Sequence, residues 1–172
     1  MPLFLSISII TLGLLIFCQD FAGRSVLWYL FPLLALCGLL RSLQSERLSS
    51  ALFHTTLNVC LVALQLFLLS AYFFLREGRS GLSGKMGAGD ILFALAAACI
   101  FDTATFLLFT TVSLTAALLL HAVFLHSKRY CKSGRTIALA GWQALLLSLF
   151  FIADRFVALH SLMNDCKAML WT

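Results

Sequence analysis

Two aspartates at the ends of apolar stretches are the residues with the clearest potential for chemistry. Asp20 closes the first long apolar run of the chain, and Asp90 opens a later run directly after the only Gly-x-Gly of the sequence, Gly87-Ala88-Gly89. Two carboxylates that share a site cannot both ionise at low cost, so one keeps its proton and the pair provides an acid and a base. Such a pair can activate water for a hydrolytic reaction.

Each aspartate also has a purely structural interpretation. Asp20 could form a surface ion pair with Arg24 in a connecting loop, and an aspartate at a helix start, such as Asp90, is ordinarily an N-cap. The glycines do not predict a nucleotide site, because residue 92 is leucine where a phosphate-binding G-x-G-x-x-G has its third glycine. The catalytic interpretation therefore requires that Asp20 and Asp90 meet.

The elements that would position these residues are apolar helices. The 172 residues are 62% hydrophobic and 11% charged, whereas a soluble domain has about 25% charged residues. A bilayer-crossing helix needs about 20 apolar residues, and six charge-free stretches are candidates: 1–19, 25–40, 48–75, 91–101, 103–127 and 136–153. The sequence predicts an all-α polytopic membrane protein of about six transmembrane helices, with residues 1–172 forming a single membrane-embedded domain.

The fourth stretch is too short for a full crossing. Residues 91–101 must either recruit polar neighbours such as Gly87 to Asp90 or begin from a loop recessed within the protein. We therefore expect a short or recessed fourth helix, with Asp90 at its start.

The distribution of basic residues predicts the orientation. Eight Lys and Arg residues fall in loops one, three and five, and four fall in loop two and the C-terminal segment. By the positive-inside rule, the three basic loops face the cytoplasm. Odd-numbered helices end on that side and even-numbered helices begin there, so Asp20 and Asp90 are expected on the same face. The net charge of +5 then reflects topology, and no nucleic-acid partner is expected.

The remaining polar residues have structural interpretations. The six cysteines stand singly without a C-x-x-C pair, which predicts neither a zinc site nor a disulfide framework. Asp102 is predicted to cap the following helix, and Asp154 is predicted to pair locally with Arg155. Four polar residues fall inside the apolar stretches: Asn58, Gln65, His121 and Gln143. We expect them to form inter-helix hydrogen bonds. The alternative is that they line a transport path.

Around both aspartates the chain resembles the prepilin and preflagellin peptidases, a family of membrane aspartic proteases. Asp20, Arg24 and Val26 match the D, R and I of the family pattern D-x-x-x-R-x-I-P-N, with Leu27-Trp28 in place of Pro-Asn. The segment 87–90 matches the family's G-x-G-D in full, and Leu92 stands where many members have lysine.

The resemblance implies an aspartic endopeptidase with Asp20 and Asp90 as catalytic residues. Gly87 and Gly89 would let the third loop approach the substrate backbone, and Arg24 would orient Asp20 or stabilise its loop. The implied substrate is a membrane-inserted, pilin-like precursor, cut after its leader at the cytoplasmic face of the inner membrane. The two-carboxylate mechanism needs no metal and no cofactor.

The resemblance to the shorter members of the family also bears on the expected activity. The chain lacks the cysteine-paired segment that accompanies methyltransferase activity in larger members of that family, so we expect proteolysis without methyl transfer. Two alternatives stay open: a non-enzymatic six-helix protein, such as a small transporter or an assembly factor, and a degenerate family member with another target. The sequence does not predict the oligomeric state.

Overall fold

All of the secondary structure in the described part of the chain is helical. The computed structural model of the protein describes residues 2–23, 26–45, 47–77, 87–126 and 139–170. These residues form six helices: α1 (Pro2–Gly23), α2 (Leu30–Ser45), α3 (Leu48–Glu77), α4 (Ala88–Ala98), α5 (Thr103–His126) and α6 (Leu139–Leu170). The predicted all-α class is confirmed for this part of the chain.

The helices follow the predicted apolar stretches, but several boundaries differ. Helix α1 continues to Gly23 beyond the predicted 1–19, and α4 spans Ala88–Ala98 in place of 91–101. Helix α2 begins at Leu30 instead of near residue 25, because a turn precedes it in which the Leu27 N–H donates to Gln19 Oε1 at 3.1 Å and the Leu30 N–H donates to the Leu27 carbonyl at 3.1 Å. Helix α6 continues far beyond residue 153 and ends at Leu170. Charge alone therefore did not mark these boundaries correctly.

Within the described residues, three helices are long and apolar enough to cross a bilayer. They are the segments Leu3–Gly23, Leu48–Tyr72 and Ala140–Val157, which is consistent with a membrane protein. Helix α4 has 11 residues, or about 16 Å at 1.5 Å per residue, and this is about half of a 30 Å hydrocarbon core. The predicted short fourth helix is confirmed.

Helices α1 and α6 pack against each other in antiparallel fashion with a seven-residue spacing. Gly13 contacts Ser148, whose hydroxyl lies 3.3 Å from the Ile10 carbonyl oxygen. Seven residues earlier on α1 and seven later on α6, the Arg155 guanidinium donates to the Ser6 hydroxyl at 2.7 Å. Seven residues is two helical turns, and a seven-residue repeat is typical of helices packed along a common seam. The register of α1 on α6 is thus fixed by several contacts.

Helix α4 is held at its C-terminal end by α3. The Asn58 side-chain amide donates to the carbonyl oxygens of Ala98 at 3.1 Å and Phe101 at 2.8 Å. In the same turn, the Phe101 ring stacks on Phe151, meets Phe150 edge to face and contacts the tilted ring of Phe109. These contacts fix the α4–α5 turn and, through it, the helix that carries Asp90.

Candidate active site

Asp20 lies in the last turn of α1 and is directed at the start of α6. Its Oδ2 atom accepts a hydrogen bond of 2.6 Å from the backbone N–H of Gly141. The side chain is half-buried at this point. The contact joins residues 121 positions apart in the chain, so the carboxylate is held by tertiary structure. Arg24, the predicted ion-pair partner of Asp20, lies outside the described residues.

Asp90 lies in the first turn of α4, three residues after its N-cap. The N-cap is Gly87, which has no side chain with which to cap the helix, so Asp90 is not the N-cap that the structural interpretation predicted. The Asp90 carboxyl instead interacts with the Gly87 backbone N–H, the arrangement in which a side chain at the third helical position reaches back to the N-cap. Its Oδ1 atom also accepts a 2.8 Å hydrogen bond from the Ala140 N–H.

The two carboxylates therefore meet on consecutive backbone amides, those of Ala140 and Gly141, in the first turn of α6. Amides in this turn have no partner within their own helix, and they form the positive end of the helix dipole. Consecutive Cα atoms are about 3.8 Å apart, so Asp20 and Asp90 lie side by side and interact electrostatically. The C-terminal end of α1 and the N-terminal ends of α4 and α6 thus lie together at one end of the helical bundle.

Opposing effects act on the Asp90 carboxyl. Burial and the neighbouring Asp20 carboxylate disfavour its ionised form, whereas the backbone N–H groups of Ala140 and Gly87 stabilise that form. Within the described part of the chain, no Lys or Arg side chain forms an ion pair with Asp20 or Asp90. A pair that carries one proton can act as a base toward water and as a hydrogen-bond donor toward a carbonyl oxygen.

The glycines of the predicted motif differ in what they contribute. A Cβ atom at Gly87 would lie 3.3 Å from Asp90 Oδ2, so the missing side chain leaves room for the carboxylate. A Cβ atom at Gly89 would make an ordinary 3.7 Å contact with Phe31. The structure therefore gives Gly87 a steric role beside Asp90, and within the described residues it gives none to Gly89.

Sequence reasoning missed the contribution of α6. Ala140 and Gly141 carry no functional side chain, and they act through backbone N–H groups, which every residue except proline has. A signal was nevertheless present, because Gly141 stands near the start of a long apolar helix, where a residue with low helix propensity needs a reason. Among the described residues, no group of three or more His, Cys, Asp or Glu side chains could hold a metal ion.

The other candidate residues have mainly structural contacts. Asn58 makes the predicted inter-helix hydrogen bonds, Gln143 is buried and Gln65 is exposed. The His121 side chain lies outside those that the structure describes. Asp102 accepts a 3.2 Å hydrogen bond from the Thr105 N–H, so it caps α5 as predicted.

The predicted local pair of Asp154 with Arg155 is wrong. Asp154 pairs with Arg41 of α2 at 3.5 Å, and Arg155 reaches across to Ser6 of α1. Neighbouring residues on a helix point in different directions, so these two side chains face different helices. The Arg41 guanidinium also lies 4.5 Å from the centre of the Phe151 ring.

Comparisons of the chain with models of protein families, with curated proteins and with solved structures found no significant match.

Proposed function

We propose that the protein is a membrane aspartic endopeptidase similar to the prepilin and preflagellin peptidases. The observation that carries the proposal is the convergence of Asp20 and Asp90 on the consecutive amides of Ala140 and Gly141. Two carboxylates seventy positions apart in sequence share one site at the end of a helical bundle. Hydrolysis by an acid and a base is the chemistry that this arrangement suits best.

In the proposed reaction, the ionised carboxylate removes a proton from a water molecule, which attacks the scissile carbonyl carbon. The protonated carboxyl donates a hydrogen bond to the carbonyl oxygen, where negative charge develops. As the C–N bond breaks, the carboxyl that took the proton from water delivers it to the leaving amine, so this residue acts first as a base and then as an acid. The assignment of base and acid belongs to the pair as a unit, because coupled carboxyls titrate together.

The proposed substrate is a membrane-inserted, pilin-like precursor with a short basic leader. A membrane domain of six helices, with α4 recessed within it, would place the site at the cytoplasmic face of the inner membrane, where the leader lies. The common position of the α1 end and the α4 and α6 starts supports a site on one face of the bundle. The two-carboxylate mechanism needs no metal and no organic cofactor.

The test is cleavage of a pilin-like precursor by the purified protein in lipid vesicles. Asp20→Asn and Asp90→Asn should each lower the rate by at least about 1,000-fold, because neither carboxylate can replace the other. The matched control is Asp102→Asn, the same substitution at the α4–α5 turn, which should leave cleavage within about twofold of the unmodified protein. Full cleavage by Asp20→Asn or Asp90→Asn would refute the mechanism, and no cleavage by the unmodified protein would refute the proposed substrate class.

A further inference from the structure

Gly141 lies at a close approach of α1 and α6 beside the carboxylate pair. A Cβ atom at this position would lie 2.7 Å from Asp20 Oδ2, 3.1 Å from its Cβ and 3.3 Å from its Cγ. Distances this short require a shift of the neighbouring atoms. Any side chain at position 141 would therefore displace the carboxylate that now accepts the Gly141 N–H.

The displacement could not be absorbed easily by moving α1 as a whole. Gly13 packs against Ser148 one seven-residue step away, where a Cβ atom at Gly13 would collide with the Ser148 hydroxyl. One step further, Arg155 holds Ser6. Because α1 is held in this register, a side chain at position 141 would displace the Asp20 side chain and leave the α1 backbone in place.

We infer that Gly141 is the positioning residue of the carboxylate pair: its missing side chain lets Asp20 reach the α6 amide and lie beside Asp90. This inference rests on the proposed function for its catalytic consequence, whereas the contact itself can be tested without any substrate. Gly141 acts through Asp20 and contributes only its N–H group and the space beside it.

A double-mutant cycle on thermal stability in detergent tests the contact. Gly141→Ala should lower the melting temperature of the unmodified protein by about 3 to 6 °C, because the added methyl group is overpacked against Asp20. In an Asp20→Gly background all three close contacts are removed. Gly141→Ala should there leave the melting temperature unchanged or raise it, since alanine is the better helix former.

The double-mutant cycle includes a second readout, in case the single variant is unstable, and a matched control variant. If Gly141→Ala alone does not accumulate in the membrane, recovery of its abundance by Asp20→Gly reports the same coupling. Gly89→Ala is the matched control, because its Cβ atom would make only an ordinary contact, and its effect should add to that of Asp20→Gly. Additive effects of Gly141→Ala and Asp20→Gly would overturn the inference.

The kinetic constants of Gly141→Ala distinguish a role in positioning the Asp20 carboxylate from a role in helix packing alone. Misplacement of a catalytic carboxylate lowers the rate of the chemical step, so Gly141→Ala should lower kcat about 10- to 100-fold and leave KM within about threefold. An unchanged kcat in a protein that shows the coupling would overturn the positioning role. If the unmodified protein cleaves no precursor, the proposed function fails, and the stability cycle alone then decides whether Gly141 holds Asp20 in place.

Discussion

Removal of the Asn58 amide should loosen the short helix that carries Asp90. The Asn58 side chain is fully buried and donates to the Ala98 and Phe101 carbonyl oxygens. An inter-helix hydrogen bond in a membrane contributes about 0.6 kcal/mol on average and up to about 1.7 kcal/mol. Loss of two such bonds in Asn58→Leu, which keeps the branched shape and the number of heavy atoms, should therefore cost about 1 to 3 kcal/mol.

This cost can be measured by thermal unfolding in detergent. A chain of this size loses about 2 to 4 °C of melting temperature per kcal/mol, so Asn58→Leu should unfold roughly 3 to 10 °C below the unmodified protein. Gln65→Leu is the matched control, because it removes an exposed amide seven residues along the same helix and should shift unfolding by about 1 °C or less. Cleavage should fall less than in Asp90→Asn, since Asp90 keeps its Ala140 contact.

Two results would refute this reasoning. Equal melting temperatures for Asn58→Leu and Gln65→Leu would mean that the turn carbonyls do not depend on the Asn58 amide. A melting temperature of Asn58→Leu above that of the unmodified protein would mean that the unpaired buried Asn58 Oδ1 costs more than the two bonds contribute.

Two further predictions concern the α5 cap and the orientation. The hydrogen bonds of Thr105 hold the pKa of Asp102 below its ordinary value, so its stabilising effect is present above pH 4 or so and is lost as the pH falls through the lowered pKa. Asp102→Ala should cost about 1 kcal/mol near neutral pH, Asp102→Asn should cost less because asparagine also caps, and neither variant should keep this pH dependence. Reporter fusions in loops three and five should behave as cytoplasmic and fusions in loop two as external; an external loop three would contradict the predicted topology.

Charge-free stretches predicted the helices well because a membrane helix tolerates few charges, but the boundaries depend on other forces. Helix α2 starts late because a turn from Leu27 to Leu30 precedes it and Gln19 accepts the Leu27 N–H. Helix α6 extends past Asp154 and Arg155 because each of these charges has a partner on another helix. A charge therefore marks the end of a helix only where it must reach water. The loops on which the orientation was argued, three and five, lie largely outside the described residues.

For the candidate site, the sequence predicted that the side chains of Asp20 and Asp90 lie together, but it did not predict the backbone N–H groups that bind them. The common end of the bundle for Asp20 and Asp90 was predicted from helix order, because one residue ends an odd-numbered helix and the other begins an even-numbered one. The amides of Ala140 and Gly141 could not be predicted in this way, because a backbone N–H is common to almost every residue. Their availability depends on where α6 begins, and helix boundaries are the least reliable part of a sequence prediction.

The sequence does not show how α1 and α6 pair, and a single long-range contact, that of Asp20 with Gly141, is enough to define this pairing. Ser6, Gly13 and Asp20 are spaced by seven residues on α1, and Gly141, Ser148 and Arg155 are spaced by seven on α6. Neither series identifies its partner, because small and polar residues at this spacing would suit many helix pairs. Once Asp20 is placed on Gly141, however, antiparallel packing puts Gly13 on Ser148 and Ser6 on Arg155, as observed. The position of the Asp20 carboxylate is therefore a property of the whole α1–α6 seam, and substitutions along that seam should act on the site through the register of the two helices.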